Sequence, residues 1–123
     1  MNVVDSSAWL EYFSGGPNAA HFATAIEDTD SLVVPSLTLF EVFKRILQQR
    51  DETAALRATA AMQQGTVVEL DATLAVNAAK LSHDRHLPLA DGIILATAQA
   101  HSATLWTQDS DFEGMDGVEY RRK

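Results

Sequence analysis

Val3-Val4-Asp5-Ser6-Ser7-Ala8-Trp9 is the stretch that decides the fold. A short apolar run stands directly before an aspartate, and a helical pattern follows from about Ser7 to Phe13. A strand that passes at once into a helix is the start of a βα unit. Ligands of open parallel sheets bind beyond the carboxyl ends of the strands. The stretch therefore predicts an α/β protein with Asp5 at its binding edge.

The same alternation continues along the chain. The later strand-like runs are Leu32-Val33-Val34, Val67-Val68-Glu69-Leu70, Thr104-Leu105-Trp106 and, more weakly, Val118-Glu119-Tyr120. Between the runs, helical patterns cover roughly Ala19 to Glu27, Thr38 to Gln49, Glu52 to Gln63, Ala72 to Ser82 and Asp91 to Ala100. Short runs that alternate with longer helical patterns predict βα units and a mainly parallel sheet of about five strands.

Length and composition set further limits. The chain has 123 residues, 46% of them hydrophobic, which predicts one domain over residues 1–123. It has no cysteine, so any metal must be held by oxygen or imidazole ligands. We find no pattern of a secretory signal and no apolar run of membrane-spanning length, so we expect a cytoplasmic protein that does not interact with membranes.

The charge argues against broad attraction to nucleic acid. The formal net charge is −8, whereas phosphate binding normally relies on clustered lysine and arginine. A nucleic-acid enzyme would need local basic groups. The candidates are Lys44 with Arg45, Arg85 with His83 and His86, and the tail Arg121-Arg122-Lys123. Solvated surface positions are the ordinary interpretation of all three groups.

Four acidic residues occupy comparable places, each near a predicted strand end or helix start: Asp5, Glu41, Asp91 and Asp109. Each also has a purely structural interpretation. Asp5 and Asp91 suit helix N-termini, and Asp109 suits a turn. Glu41 fits either a capping box begun by Thr38 or a surface pair with Arg45.

If the fold gathers these acids, the cluster needs compensation. Two like charges about 4 Å apart repel by about 4 kcal/mol at an effective dielectric near 20. Protons held at raised pKa values or a bound cation would relieve that repulsion. Mg²⁺, or Mn²⁺ in its place, is the cation that prefers carboxylate and water ligands. The chemistry that this predicts is hydrolysis of a phosphodiester.

Four motifs, in this order, resemble those of the PIN domain, and more narrowly those of VapC toxins from bacterial and archaeal toxin-antitoxin pairs. The first is the opening stretch around Asp5, and the second runs from Pro35-Ser36 to Glu41. The others are Leu89-Ala90-Asp91-Gly92-Ile93-Ile94-Leu95-Ala96-Thr97-Ala98 and Thr107-Gln108-Asp109-Ser110-Asp111-Phe112. The resemblance implies a three-layer α/β/α sandwich and a metal-dependent endoribonuclease.

Position by position, the resemblance assigns the catalytic and metal-binding roles to Asp5, Glu41, Asp91 and Asp109. It gives Asp111 an auxiliary role, and it lets Thr107 and Ser6 orient water or carboxylates by hydrogen bonds. The implied cofactor is Mg²⁺, and the implied substrate is RNA. The implied partner is a VapB-like antitoxin, with which a homodimer of this chain would form a heterotetramer or a larger assembly.

Other interpretations remain open. A nuclease of the same fold that acts in RNA maturation would carry the same motifs. A receiver or an aspartyl phosphatase also has an aspartate after its first strand, but the phosphatase needs a second acid where this chain has Ser7. A degenerate binding module would lack one of the four acids. Histidine catalysis would need a serine or cysteine motif beside the scattered His21, His83, His86 and His101.

Overall fold

The computed structural model describes residues 1–123. Five strands alternate with six helices. The strands are β1 (Asn2–Val4), β2 (Leu32–Pro35), β3 (Thr66–Val68), β4 (Thr104–Thr107) and β5 (Val118–Tyr120). The helices are α1 (Ser6–Ser14), α2 (Ala19–Ile26), α3 (Ser36–Gln49), α4 (Glu52–Met62), α5 (Ala72–Arg85) and α6 (Leu89–Ala100). Short 3₁₀ turns cover Thr29–Ser31 and Ser110–Phe112.

The strands form one sheet in the order β3-β2-β1-β4-β5, and every neighbouring pair is parallel. The strand order reverses between β1 and β4, which pair from Asn2 with Thr104 to Val4 with Trp106. At such a reversal the connections leave in opposite directions and open a crevice at the carboxyl ends of the strands. The expected adjacency of the first and fourth strands is confirmed.

Helices cover both faces of the sheet. Val4 and Val34 point to the side covered by α1 to α4, where Trp9, Phe22 and Met62 are buried with them. Val3, Val33 and Leu105 point to the other side and pack on α6. Helix α5 lies against α6 through Leu74, Ala78 and Ala96. The predicted α/β/α sandwich with a parallel five-stranded sheet is therefore confirmed.

The starts of α3 and α6 lie two residues earlier than the sequence predicts, and each shift changes the role expected of an acidic residue. Helix α3 begins at Ser36, and the Thr38 hydroxyl donates to the Pro35 carbonyl at 2.7 Å, so the capping box of Thr38 and Glu41 is wrong. Helix α6 begins at Leu89 after Pro88, so Asp91 lies in its first turn and is not the N-cap. The structure has no ion pair between Glu41 and Arg45. None of the helices has the length and apolar content required to cross a bilayer.

Candidate metal centre

Asp5 lies at the end of β1 and is almost completely buried, with 3% of its surface exposed. One carboxylate oxygen accepts hydrogen bonds from the Ser7 hydroxyl at 2.8 Å and from the Ala8 backbone N–H at 2.9 Å. The other oxygen accepts from the Thr107 hydroxyl at 2.6 Å. Asp5 is thus the N-cap of α1 and also a fixed carboxylate at the switch point of the sheet.

Burial raises the pKa of Asp5 from 3.8 to about 6. The hydrogen bonds from Thr107, Ala8 and Ser7 act in the opposite direction because they stabilise the ionised form, while the charge of Asp109 adds to the rise. Desolvation is the largest single contribution, and the net shift is upward. Three donors therefore hold Asp5 in place, but their hydrogen bonds do not fully offset the free-energy cost of burying its charge.

Three further carboxylates converge beside it. Asp91, Asp109 and Asp111 each offer an oxygen within 4.8 Å of the others. Asp91 comes from the first turn of α6, whereas Asp109 and Asp111 come from the turn after β4. The Asp111 N–H donates to the Asp109 carboxylate at 2.9 Å, and the Asp109 N–H donates to the Thr107 hydroxyl at 2.9 Å. Thr107 therefore links this group to Asp5.

The pKa of Asp91 is raised to about 7, chiefly by burial and then by repulsion from Asp109. A hydrogen bond to Asp111 and the charges of Asp111 and Asp5 raise it further. Crowded carboxylates without a cation show such shifts because each ionised group disfavours the next. A donor set made only of carboxylate oxygens fits a hard divalent cation such as Mg²⁺ or Mn²⁺.

Glu41 stands outside the close group of three aspartates. Its carboxylate accepts a hydrogen bond from the Ser6 hydroxyl at 2.6 Å, so the second turn of α3 is joined to the residue that follows Asp5. Of the four acids singled out in the sequence, Asp91 and Asp109 share the closest group. Asp5 interacts electrostatically with both, and Glu41 reaches the site through Ser6.

Asp111, for which the sequence predicts an auxiliary role, belongs to the close group of three carboxylates. The sequence signal for the proximity of Asp111 is its spacing from Asp109, since two aspartates two residues apart can share one turn.

Gln108 is buried and accepts a hydrogen bond from the Asn18 side chain at 3.0 Å, an interaction that the sequence pattern does not indicate.

The parallel α/β/α sandwich and the acidic cluster where its strand order reverses together define an α/β protein with a candidate metal site at the carboxyl ends of its strands. The family model described as PIN domain matches residues 3–118. The chain belongs to the PIN domain family. No curated protein gives a significant sequence match.

Similar solved structures include a toxin-antitoxin complex from Klebsiella pneumoniae, with 27% identity and a TM-score of 0.81 over 97% of this chain and 96% of that one. VapC20 from Mycobacterium tuberculosis, described as a toxin that cleaves the sarcin-ricin loop, is 18% identical with a TM-score of 0.76 over 96% and 98%. DNA-bound VapBC from Salmonella typhimurium is 13% identical with a TM-score of 0.74 over 98% and 96%. The narrower resemblance to VapC toxins thus agrees with these neighbours.

Proposed function

We propose that this protein is a Mg²⁺-dependent endoribonuclease and the toxin of a toxin-antitoxin pair. The observation that carries the proposal is the group of Asp91, Asp109 and Asp111, with carboxylate oxygens within 4.8 Å, beside the buried Asp5. Membership of the PIN domain family and the similarity to the Klebsiella pneumoniae toxin-antitoxin complex support the nuclease and toxin assignments. The description of the Mycobacterium tuberculosis toxin as cleaving the sarcin-ricin loop supports our choice of RNA as the substrate class.

We assign the catalytic and metal-binding roles to Asp5, Glu41, Asp91 and Asp109, and we add Asp111 to the metal ligands. Asp91, Asp109 and Asp111 would hold the ion, because their oxygens are close enough to share it. Mg²⁺, with Mn²⁺ as a substitute, would supply a Lewis acid that lowers the pKa of water and stabilises negative charge on the phosphate.

The protein's own groups prepare this site. Ser7, Ala8 and Thr107 hold Asp5 in one orientation, so its carboxylate does not need to reorganise when substrate enters. With its pKa raised to about 7, Asp91 would be about half protonated at neutral pH in the metal-free protein, and it would lose that proton if a divalent cation were bound. Ser6 fixes the Glu41 carboxylate at the rim of the same site.

The contacts of Asp5 argue against the receiver and phosphatase alternatives. A phosphoacceptor needs a free carboxylate oxygen for attack on phosphorus. Here one Asp5 oxygen accepts two hydrogen bonds, the other accepts one, and the side chain is buried. A nuclease of RNA maturation would use the same site, and it would differ from a toxin in its substrate and in lacking an antitoxin.

For the partner, we propose a VapB-like antitoxin that binds a homodimer of this chain in the cytoplasm. The similar structures from Klebsiella pneumoniae, a toxin-antitoxin complex, and from Salmonella typhimurium, DNA-bound VapBC, support this kind of partner. A small reading frame beside this one that encodes a DNA-binding protein would favour the toxin over an RNA-maturation enzyme.

The test is cleavage of structured and unstructured RNA by the purified protein with Mg²⁺, Mn²⁺ or EDTA. We expect cleavage with either ion and none in EDTA. Asp5→Asn and Asp91→Asn should each lower the rate by at least about 100-fold, the loss expected when one catalytic group is removed. Asp28→Asn is the matched control, because Asp28 is exposed and its carboxylate makes no hydrogen bond. Cleavage that persists in EDTA or survives both site variants would disprove the mechanism.

A further inference from the structure

A groove of about 650 Å³ runs between α1, α3 and α4. Its floor includes apolar side chains, among them Leu10 and Phe13 of α1 and Ile46 of α3. The Phe13 ring is partly buried and stacks on Trp9 with ring centroids 5.6 Å apart, so it is held rigidly while one part of it faces the groove. The groove therefore combines a firm apolar floor with an open side.

The walls of the groove concentrate positive charge. Arg45, Arg50, Arg57 and Lys123 line it, which is four of the nine basic residues in a chain of net charge −8. All four are exposed, and none forms an ion pair within the chain. Cations that gather without acidic partners indicate an anionic ligand.

Only one acidic residue, Glu11, lines the same groove. Its carboxylate already accepts a hydrogen bond from the Asn18 backbone N–H at 2.9 Å. The Asn18 side chain in turn donates to the Arg122 carbonyl at 3.0 Å, which holds the C-terminal residues beside the groove. The Glu11 carboxylate is thus engaged by the backbone of Asn18, and Lys123 lies among the basic residues of the groove.

The groove leads to the metal centre. Ser7 and Gln108 are among its lining residues. The Ser7 hydroxyl donates to the Asp5 carboxylate at 2.8 Å, and Gln108 directly precedes Asp109 in the chain. A polymer lying in the groove would therefore continue into the acidic site, which has the opposite charge.

We propose that this groove, called here the basic groove, binds the RNA strand that flanks the scissile phosphate. Arg45, Arg50, Arg57 and Lys123 pair with successive phosphates, and a base packs against Phe13 and Leu10. A charged groove that follows the backbone, together with an aromatic platform, is how single-stranded nucleic acid is bound without sequence readout. The inference rests on the proposed ribonuclease function and adds the residues that offset the repulsion between an acidic protein and RNA.

An acidic protein segment is the competing occupant. It would match the four cations equally well, but nothing in its chemistry requires the groove to adjoin the metal centre. A phosphodiester, in contrast, must reach the carboxylates of Asp5 and Asp109 for the proposed reaction to occur. The position of the groove beside the metal centre therefore favours RNA.

The test compares two variants that lower the net charge equally, both in the Asp5→Asn background so that the RNA stays intact. Arg50→Gln with Arg57→Gln changes the basic groove. Asn77→Asp with Lys80→Gln changes exposed positions of α5, on the opposite face of the sheet. Binding of a fluorescein-labelled single-stranded RNA is measured by anisotropy over a series of salt concentrations, and thermal melts show that each variant is folded.

We expect the groove variant to weaken binding by about tenfold and to reduce the slope of log K against log salt by about 1.4, because each lost phosphate contact contributes about 0.7. The α5 variant should bind with an affinity within about twofold of the Asp5→Asn parent and should show the same salt slope. Equal slopes for the two variants would overturn the inference. The inference would also be overturned if the protein bound poly-glutamate more tightly than RNA and if that binding depended on Arg50 and Arg57. That result would identify a protein-binding groove.

The two proposals fail separately. If wild-type protein cleaves RNA and Asp5→Asn does not, but the groove variant binds RNA as the α5 variant does, the ribonuclease proposal stands and the groove assignment falls. If RNA binding depends on Arg50 and Arg57 but no cleavage depends on Asp5, the groove assignment stands and the ribonuclease proposal falls.

Discussion

At the scale of single residues, Thr107 connects the two halves of the candidate metal centre. Its side chain is fully buried, its hydroxyl donates to Asp5, and the same oxygen accepts from the Asp109 N–H. One hydroxyl therefore fixes a carboxylate at the end of β1 relative to the turn that carries Asp109 and Asp111. Serine and threonine can serve this purpose, because one hydroxyl is both donor and acceptor.

Thr107→Val keeps the shape of the side chain and removes the hydroxyl. We expect cleavage of RNA to fall by about 10- to 100-fold, the loss typical of residues that orient metal ligands. The pKa of Asp5 should rise above about 6, since a donor to its ionised form is lost, and the acid limb of the pH-rate profile should move to higher pH. Stability should fall by about 1–3 kcal/mol because the Asp109 N–H loses its partner.

Thr97→Val is the matched control for this substitution. Thr97 is also fully buried, but its hydroxyl donates to the Ile93 carbonyl within α6, away from the carboxylates. The control should keep the pH-rate profile of the wild type. An unchanged profile in Thr107→Val as well would show that Thr107 does not position Asp5.

At the scale of elements, the close packing of α5 against α6 holds Asp91 in place. Gly92 lies at the contact, where an added Cβ would be 2.9 Å from the Ser82 Cβ and 3.1 Å from the Ala78 carbonyl oxygen. Only glycine allows the helices to approach so closely at this point. The preceding residue, Asp91, is thereby set in the first turn of α6 against Asp109 and Asp111.

Gly92→Ala should therefore destabilise the protein although alanine is the better helix former. Overpacking costs about 1–3 kcal/mol, and the gain in helix propensity returns at most about 1 kcal/mol. We expect a lower melting temperature and weaker Mg²⁺-dependent cleavage, because α6 must shift and carry Asp91 with it. Gln99→Ala, at an exposed position of the same helix, should change neither. A melting temperature equal to or above that of the wild type would contradict this account of Gly92.

At the scale of the whole molecule, the candidate metal centre lowers the stability of the metal-free protein. The folded pKa values of Asp5 and Asp91, about 6 and about 7, lie above the ordinary 3.8. Between pH 4 and 7 the folded state therefore binds more protons than the unfolded state, so stability falls as pH rises through that window. For the buried Asp5 the shift corresponds to about 3 kcal/mol. The half-exposed Asp91 contributes less than its shift implies, because solvent screens it.

We thus expect the melting temperature in EDTA to decrease from pH 5 to pH 8. Mg²⁺ should reverse the decrease at pH 8, by about 2.7 kcal/mol at a concentration 100 times its Kd, and should have little effect at pH 5. Differential scanning calorimetry with and without Mg²⁺ measures both effects. In Asp5→Asn combined with Asp91→Asn, the pH dependence and the Mg²⁺ effect should both be small. A melting temperature in EDTA that stays flat or rises over this pH range would refute this prediction.

The alternation of strands and helices follows from local sequence signals. The apolar runs at Val3-Val4 and Leu32-Val33-Val34 predict strands because apolar side chains bounded by turn residues must be buried there. Helix ends are less well determined. Helix α3 begins two residues earlier than the pattern predicts, because its entry depends on Pro35 and on a hydrogen bond from the Thr38 side chain.

By itself, then, the sequence determined the α/β alternation, the placing of Asp5 and Asp109 at the ends of strands, and an acidic site as the candidate centre. These features depend on residues close together in the chain. Only the tertiary structure decided which carboxylates share the closest group, to which Asp111 belongs. It also decided that Glu41 is joined to the site through Ser6. Finally, it brought Arg45, Arg50, Arg57 and Lys123 together in one groove. Those features depend on the strand order and on how closely the helices pack. Contacts between residues far apart in the chain set the strand order and the helix packing, so local sequence signals do not reveal them.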